Sequence, residues 1–190
     1  MKDTRRRYKI TGPTYLTILR IILSVPFAIF LSIPEKWTRI TALVLFIIAS
    51  LTDRIDGKWA RDKKIVTTIG TFLDPLADKI LVNLAFLILT YIGAIPLWFF
   101  AVILIRDFIV DGFRMASARE GITVPASIYG KLKTVSQMTA LIIILLNLII
   151  NQQSLQILGN IVLYIALFLT IFSGTDYLIR GYKELIKPSK

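Results

Sequence analysis

The sequence contains neither cysteine nor histidine among its 190 residues. The lack of cysteine excludes disulfide bonds and thiolate nucleophiles, and together the two absences exclude zinc sites built from Cys and His ligands. The lack of histidine removes the side chain that most often transfers protons near neutral pH. Any catalysis by this chain must therefore use carboxylates, basic groups, hydroxyls or a metal ion held by oxygen atoms.

Charge is also scarce. Charged residues make up 18% of the chain and hydrophobic residues 55%, whereas soluble domains average about 25% and about 45–50%. The mean hydropathy is +0.70. The net charge is +11, and most basic residues lie between apolar runs. We therefore expect them to face anionic lipid headgroups rather than nucleic acid.

Six apolar segments approach or exceed the roughly 20 helical residues that cross a bilayer. They cover residues 15–33, 40–60, 70–92, 95–116, 132–150 and 155–179. The first is longer than the apolar core of a signal peptide, about 7–15 residues, so we interpret it as a retained span. The sequence predicts an all-α integral membrane protein, a six-transmembrane-helix bundle that forms a single domain over residues 1–190.

The distribution of lysine and arginine predicts the orientation in the membrane. Basic residues are concentrated in residues 2–9, 61–64, 119–133 and 180–190. In the loops on the other side, the only basic residues are Lys36 and Arg39. Since cytoplasmic loops carry the excess of Lys and Arg, both termini are expected in the cytoplasm. The predicted location is the cell (inner or plasma) membrane, with multiple spans and an active site facing the cytoplasm.

Four aspartates occur where a lipid-facing helix would not place them. Asp53 and Asp56 are three residues apart, and Asp74 and Asp78 are four apart, so each pair shares one helix face. Two carboxylates about 4 Å apart repel by about 4 kcal/mol at an effective dielectric constant of 20. Oxygen ligands suit Mg²⁺ or Mn²⁺, and two ions would fit four carboxylates and a diphosphate. The alternative is a set of pairing charges or an ion path within the membrane.

The residues between the two pairs favour a phosphate ligand. Gly57 allows a ligand to approach the backbone closely, and Ala60 keeps the same face clear. Arg61 offers a forked set of donors to phosphate. Gly70 leaves room at the start of the third segment.

Together these residues form a spaced motif that resembles the signature of the CDP-alcohol phosphotransferase family. The motif reads Asp53-x2-Asp56-Gly57-x2-Ala60-Arg61-x8-Gly70-x3-Asp74-x3-Asp78. The resemblance implies that the four aspartates hold metal and that Asp78, at the metal edge, is the general base for the acceptor hydroxyl. It also implies a homodimer. The CDP-lipid site implied by the resemblance comprises Asp53, Gly57, Ala60 and Arg61.

A second group of charges bears on the acceptor. Arg106, Arg114, Lys131 and Lys133 would form a basic pocket if the fourth and fifth segments packed beside the aspartates, and such a pocket selects an acceptor that carries phosphate. Other interpretations remain open. The two arginines can instead pair with neighbouring aspartates inside the membrane, and the two lysines can serve only as a cytoplasmic topology signal.

The region around these charges resembles the branch of the family whose acceptor is sn-glycerol 3-phosphate. The similarity rests on an Arg-acid pair, a later Arg, the run Gly130-Lys131-x-Lys133-Thr134 and an N-terminal Gly12-Pro13 segment that includes Arg20. It implies transfer of the phosphatidyl group of CDP-diacylglycerol to sn-glycerol 3-phosphate, without nucleic acid as a partner. Inositol phosphate or phosphatidylglycerol as acceptor, a divalent cation transporter, and an inactive structural partner are the alternatives.

Overall fold

The computed structural model describes residues 12–62, 68–120, 125 and 127–186; within these, the side chains of residues 12–14, 16–17, 53–62, 68–76, 78 and 185–186 are not among those described. The described ranges contain six helices, which confirms the predicted all-α class. They are α1 (Gly12–Ser32), α2 (Lys36–Asp62), α3 (Thr68–Tyr91), α4 (Leu97–Arg119), α5 (Ile128–Ile150) and α6 (Gln153–Ile186).

The helices are long for a chain of this size. They range from 21 residues in α1 to 34 residues in α6, or about 32 to 51 Å at 1.5 Å per residue. Among the described residues, the helical stretches Ile128–Ile150 and Gln153–Glu184 are long and apolar enough to cross a membrane. In α4 the apolar character is interrupted by Arg106, Asp107 and Asp111.

Many large apolar side chains lie on helix surfaces rather than between helices. Examples are Ile105 and Phe108 on α4 and Ile161 and Phe168 on α6, all more than half exposed. Soluble monomers rarely expose apolar surface on this scale. This distribution suits helices that contact lipid chains.

The chain divides into two compact units, one ending at Ile92 and the other beginning at Gly93. In the first unit, α1 packs against both α2 and α3, and α2 and α3 also contact each other. Phe27 of α1 meets Phe46 of α2 with ring centroids 5.6 Å apart, and both rings are buried. Phe86 of α3 is buried as well, so each of the three helices contributes an aromatic residue to the buried part of this unit.

In the second unit, α6 packs against both α4 and α5. Trp98 near the start of α4 lies beside Tyr164, whereas Phe113 near its end lies beside Tyr177. Residues later in α4 thus contact residues later in α6. The two helices run parallel.

Helix α5 runs antiparallel to α6. Tyr129 at its start stacks edge-on against Phe172, whereas Ile144 further along lies against Gly159. A Cβ atom at Gly159 would lie 3.2 Å from Ile144 Cγ1, so the absent side chain allows close packing. α5 is followed directly by Asn151, whose φ of 54° is the left-handed conformation that commonly terminates helices.

Candidate functional site

The first candidate group lies on α2 and α3. Asp53 and Asp56 belong to α2, and Asp74 and Asp78 belong to α3; their side chains lie outside the described residues. Asp56 lies six residues before the end of α2 and Asp74 six residues after the start of α3, about 9 Å along each helix axis. Since the two helices contact each other and a short connection joins them, the two pairs lie at matching depth in an antiparallel hairpin.

The helical backbone of α2 also determines which residues share a face. Gly57, Ala60 and Arg61 follow Asp53 at intervals of four, seven and eight residues within the same helix. These intervals place them on the face that carries Asp53. Because α2 continues to Asp62, Arg61 belongs to the helix and is not a loop residue. The side chains of Gly57, Ala60 and Arg61 lie outside the described residues.

The donor chemistry of this group fits a hard divalent cation. Four carboxylates and no nitrogen or sulfur ligand match the preference of Mg²⁺ and Mn²⁺ for oxygen. Among the side chains that the structure describes, no group of three or more acidic residues is placed to hold a metal ion. The aspartates of α2 and α3 are candidate metal ligands because of their donor chemistry and their spacing.

The second candidate group surrounds Asp107 in the second unit. Asp107 and Lys133 are each 7% exposed, and the Lys133 ammonium donates to both carboxylate oxygens, at 2.7 and 3.0 Å. A buried charge is stable only when it is paired and hydrogen-bonded. The pair joins α4 to α5, and breaking it would leave an uncompensated charge.

Arg106 contacts the same carboxylate and shares its Oδ1 atom with Lys133. Its Nη1 donates to Asp107 at 2.9 Å, its Nε to the backbone carbonyl of Thr170 at 2.9 Å, and its Nη2 to the hydroxyl of Ser173 at 2.8 Å. The internal ion pair that the sequence left open for Arg106 is thus present. The guanidinium also fastens α4 to α6.

A further layer of hydrogen bonds lies beside this cluster. The side-chain amide of Gln137 on α5 donates to the Thr170 hydroxyl at 3.1 Å, and that hydroxyl donates to the carbonyl of Ala166 at 2.6 Å. Gln137, Thr170 and Ser173 are all buried. The sequence analysis missed Thr170 and Ser173; two hydroxyl residues three apart in an otherwise apolar span were the available signal.

The other two basic residues have different surroundings. Arg114 is exposed, and its guanidinium carbon lies 5.4 Å from the ring centroid of Tyr177. Lys131 is also exposed, in the first turn of α5. Lys131 and Lys133 are two residues apart, so their side chains leave the helix about 200° apart. The structure brings Arg106 and Lys133 to one carboxylate and leaves Arg114 and Lys131 at the surface of the unit.

Two more charges of the sequence analysis have defined positions. Arg20 is buried in α1, at 2% exposure, next to the turn that contains buried Ser24. Asp176 pairs with Arg180 one turn later on α6, in a partly exposed position. Asp176 therefore forms an ion pair within α6.

Known proteins resemble this chain over most of its length. The family model described as CDP-alcohol phosphatidyltransferase matches residues 10–172, a range that includes the four aspartates of the first group and Arg106, Asp107 and Lys133 of the second. The CDP-diacylglycerol--glycerol-3-phosphate 3-phosphatidyltransferase of Bacillus subtilis (strain 168) is 36% identical over 91% of this chain and 96% of the relative. The protein of the same name from Rickettsia typhi is 39% identical, over 87% and 93%.

A third relative has a differently worded name. It is the probable phosphatidylglycerophosphate synthase of Mycobacterium tuberculosis (strain CDC 1551 / Oshkosh), which is 35% identical over 90% of this chain and 81% of its own length. The aligned portions of all three relatives therefore extend through most of the described helices.

Proposed function

Since the chain belongs to the CDP-alcohol phosphatidyltransferase family, as its aspartate motif predicted, we propose that it transfers the phosphatidyl group of CDP-diacylglycerol to sn-glycerol 3-phosphate. The products are phosphatidylglycerol phosphate and CMP. The observation that carries this proposal is the similarity to relatives named for that reaction over about nine-tenths of the chain. The aspartate motif on the contacting helices α2 and α3 supplies the matching chemistry.

The proposed metal ligands are Asp53, Asp56, Asp74 and Asp78. Their matching depth on two contacting helices supports this assignment. When bound, Mg²⁺ or Mn²⁺, as two ions, would neutralise the diphosphate and polarise its phosphorus–oxygen bonds. The face of α2 that carries Asp53 would also bind the nucleotide diphosphate: Gly57 and Ala60 leave space there.

The proposed chemical step is a single displacement. The Asp78 carboxylate accepts the proton of the primary hydroxyl of sn-glycerol 3-phosphate. The hydroxyl oxygen forms a bond to the lipid-side phosphorus, the bond from that phosphorus to the CMP oxygen breaks, and CMP leaves with both electrons. Arg61 lies on the same helix face as Asp53 and would offset the charge of the departing phosphate. Transfer of this type depends mostly on positioning and charge stabilisation.

The acceptor's phosphate is assigned to Arg106, Arg114, Lys131 and Lys133. Arg114 and Lys131 are exposed and offer donors at the surface of the second unit. Lys133 and Arg106 share Asp107. Four basic side chains on α4 and at the start of α5 would favour an acceptor that carries phosphate over serine, choline or ethanolamine.

The proposed setting is the cell membrane. We assign six spans, cytoplasmic termini and an active site at the cytoplasmic surface. The helix lengths and the concentration of basic residues on one predicted side support this topology. A homodimer is the proposed assembly.

An acceptor panel tests the proposed function. Purified protein is incubated with CDP-diacylglycerol, Mg²⁺ and one acceptor at a time: sn-glycerol 3-phosphate, inositol phosphate, phosphatidylglycerol or serine. Mass spectrometry should identify phosphatidylglycerol phosphate as the major lipid product. A preference for another acceptor would reassign the substrate, and divalent cation flux in vesicles without any CMP release would favour a transporter.

Lys131→Ala is expected to raise the KM for sn-glycerol 3-phosphate by roughly tenfold, because a charged hydrogen bond contributes about 1.5–3 kcal/mol and tenfold corresponds to about 1.4 kcal/mol. The KM for CDP-diacylglycerol should change by less than about twofold. Initial rates with each substrate varied in turn provide both constants. Lys183→Ala, which removes an exposed lysine from the last turn of α6, is the control. Equal effects on the two KM values would contradict a phosphate-binding role.

A further inference from the structure

Three residues of α6 lie along one face and contact the arginines of α4. Thr170, Ser173 and Tyr177 are spaced by three and four residues, which places them on one side of the helix. Thr170 and Ser173 accept hydrogen bonds from the Arg106 guanidinium. The ring of Tyr177 lies against the guanidinium of Arg114. The contacts follow the parallel course of α4 and α6.

We propose that Thr170, Ser173 and Tyr177, together with the bare backbone at Gly174, form a positioning track on α6. This track holds Arg106 and Arg114 in the orientation that binds the phosphate of the acceptor. The inference rests on the proposed function and deepens it, since it assigns acceptor specificity to residues of the last helix. None of the track residues needs to touch the acceptor.

The contacts of Arg106 show how the track works. A guanidinium carries five N–H donors in a planar fork. Among the described residues, three of these donors are used, one each for Asp107, Thr170 and Ser173. One N–H on each terminal nitrogen remains, and the three contacts fix the direction of both. An arginine held in this way loses less side-chain entropy on binding phosphate than one that moves freely.

Ser173 is suited to this task by its own hydrogen bonds. It is 1% exposed, and its hydroxyl accepts from Arg106 while donating to the Thr170 carbonyl at 3.2 Å. The Thr170 carbonyl therefore receives both Arg106 and Ser173. The hydroxyl cannot rotate without losing one of these partners, so its lone pairs remain directed at the arginine.

Gly174 has no side chain, which leaves space for the Arg106 side chain beside α6. A Cβ atom built there would lie 2.7 Å from Arg106 Nε and 3.0 Å from its Cγ, closer than real Cβ contacts allow. These atoms are in the middle of the side chain rather than at its flexible end. Gly174→Ala would therefore displace Arg106 without removing any hydrogen-bonding group.

Tyr177 orients the second arginine through its ring. The guanidinium of Arg114 stacks over it, and the ring is in turn fixed by the edge-on contact with Phe113 at 6.3 Å. Tyr177 is buried although Arg114 is exposed. A buried aromatic ring therefore orients an exposed cation.

The test compares acceptor and lipid kinetics in four variants. Ser173→Ala and Gly174→Ala are expected to raise the KM for sn-glycerol 3-phosphate roughly five- to tenfold, and Tyr177→Leu roughly two- to fivefold. The KM for CDP-diacylglycerol should stay within about twofold. Tyr177→Phe keeps the aromatic ring, so its KM for the acceptor should equal that of the wild type.

Matched controls come from the same helix. Thr175→Ala removes an exposed hydroxyl that only returns to the Ile171 carbonyl of its own helix. Tyr164→Leu removes a ring that contacts α4 at the opposite end, beside Trp98. Both should leave the KM values of the two substrates unchanged even where they lower the thermal stability.

The outcomes separate the inference from the proposed function. If the wild type transfers the phosphatidyl group to a different phosphorylated acceptor, the proposed substrate is wrong, and the KM shifts should follow that acceptor instead. If the wild type is inactive, the increase in thermal unfolding temperature caused by inorganic phosphate is measured instead of KM. Ser173→Ala, Gly174→Ala and Tyr177→Leu should then need a higher phosphate concentration than the wild type for the same increase. The inference is overturned if those variants affect both substrates equally, or if Tyr164→Leu shifts the acceptor KM as much as Tyr177→Leu.

Discussion

Asp78→Asn is expected to lower the rate of CMP release by at least about a hundredfold. General-base catalysis typically contributes 10²- to 10⁴-fold, and an amide cannot accept the proton of the acceptor hydroxyl. Asparagine keeps an oxygen ligand of similar size, so binding of Mn²⁺ should be weakened and not abolished. CMP release is measured with the purified protein, CDP-diacylglycerol and sn-glycerol 3-phosphate.

Asp62→Asn provides the control for this prediction. It makes the same chemical change at the last residue of α2, which is one of the eight positions between Arg61 and Gly70 that the motif does not specify. Its activity should remain near that of the wild type. An Asp78→Asn protein with near-normal turnover would remove Asp78 from the role of base, whatever the effect on metal binding.

Asp107→Asn is expected to destabilise the protein by about 3–5 kcal/mol, because it removes the negative charge of the carboxylate that accepts from the buried Lys133 cation. Arg106 loses its carboxylate partner at the same time. The thermal unfolding temperature in detergent should fall markedly, and activity with sn-glycerol 3-phosphate should fall with it. Asp176→Asn is the control, since its pair with Arg180 is partly exposed and contributes at most about 1 kcal/mol.

A double variant separates charge balance from acceptor binding. Asp107→Asn combined with Lys133→Met removes both members of the buried pair and should recover the part of the lost stability that the buried Lys133 cation accounts for, whereas Arg106 still lacks its carboxylate partner. It should not recover the acceptor KM, because the Lys133 charge is absent. Additive destabilisation in the double variant would contradict the importance of this ion pair.

The helices were predictable because apolar runs of this length have few alternatives. The predicted segment 70–92 and the observed α3, Thr68–Tyr91, differ by two residues or fewer at each end. The segment 155–179 ended seven residues before α6 does, at Ile186. An apolar pattern reports the part of a helix that avoids water, whereas a helix can continue into a polar, charged last turn.

The polar contacts of the second unit were only partly predictable. The pairing of Arg106 with Asp107 is local, so sequence spacing left it as an open alternative. The contacts of Arg106 with Thr170 and Ser173 cross 64 and 67 residues and depend on how α4 packs on α6. Lys131 is exposed and Lys133 is buried because helix geometry separates their side chains by about 200°. The contact with Asp107 determines which of the two is buried.

The two candidate groups also differ in how their residues are specified. Each aspartate pair of α2 and α3 is set by intervals of three or four residues within one helix, so the motif alone predicts a shared face. The arginines of α4 contact residues of α6, whereas Lys133 of α5 contacts Asp107 of α4. Sequence spacing identified the four basic residues as candidates, but only the packed helices show that Arg106 and Lys133 share one carboxylate.

The central claim is a coupled transfer from a CDP-lipid to a phosphorylated alcohol. The most direct measurement uses CDP-diacylglycerol labelled in the cytidine and sn-glycerol 3-phosphate labelled in the glycerol, with Mg²⁺ and the purified protein in one reaction. One CMP should be released for each labelled glycerol that enters the lipid, and neither product should form without the other substrate. CMP release that does not depend on sn-glycerol 3-phosphate, or the failure of its label to enter lipid, would contradict the assigned reaction.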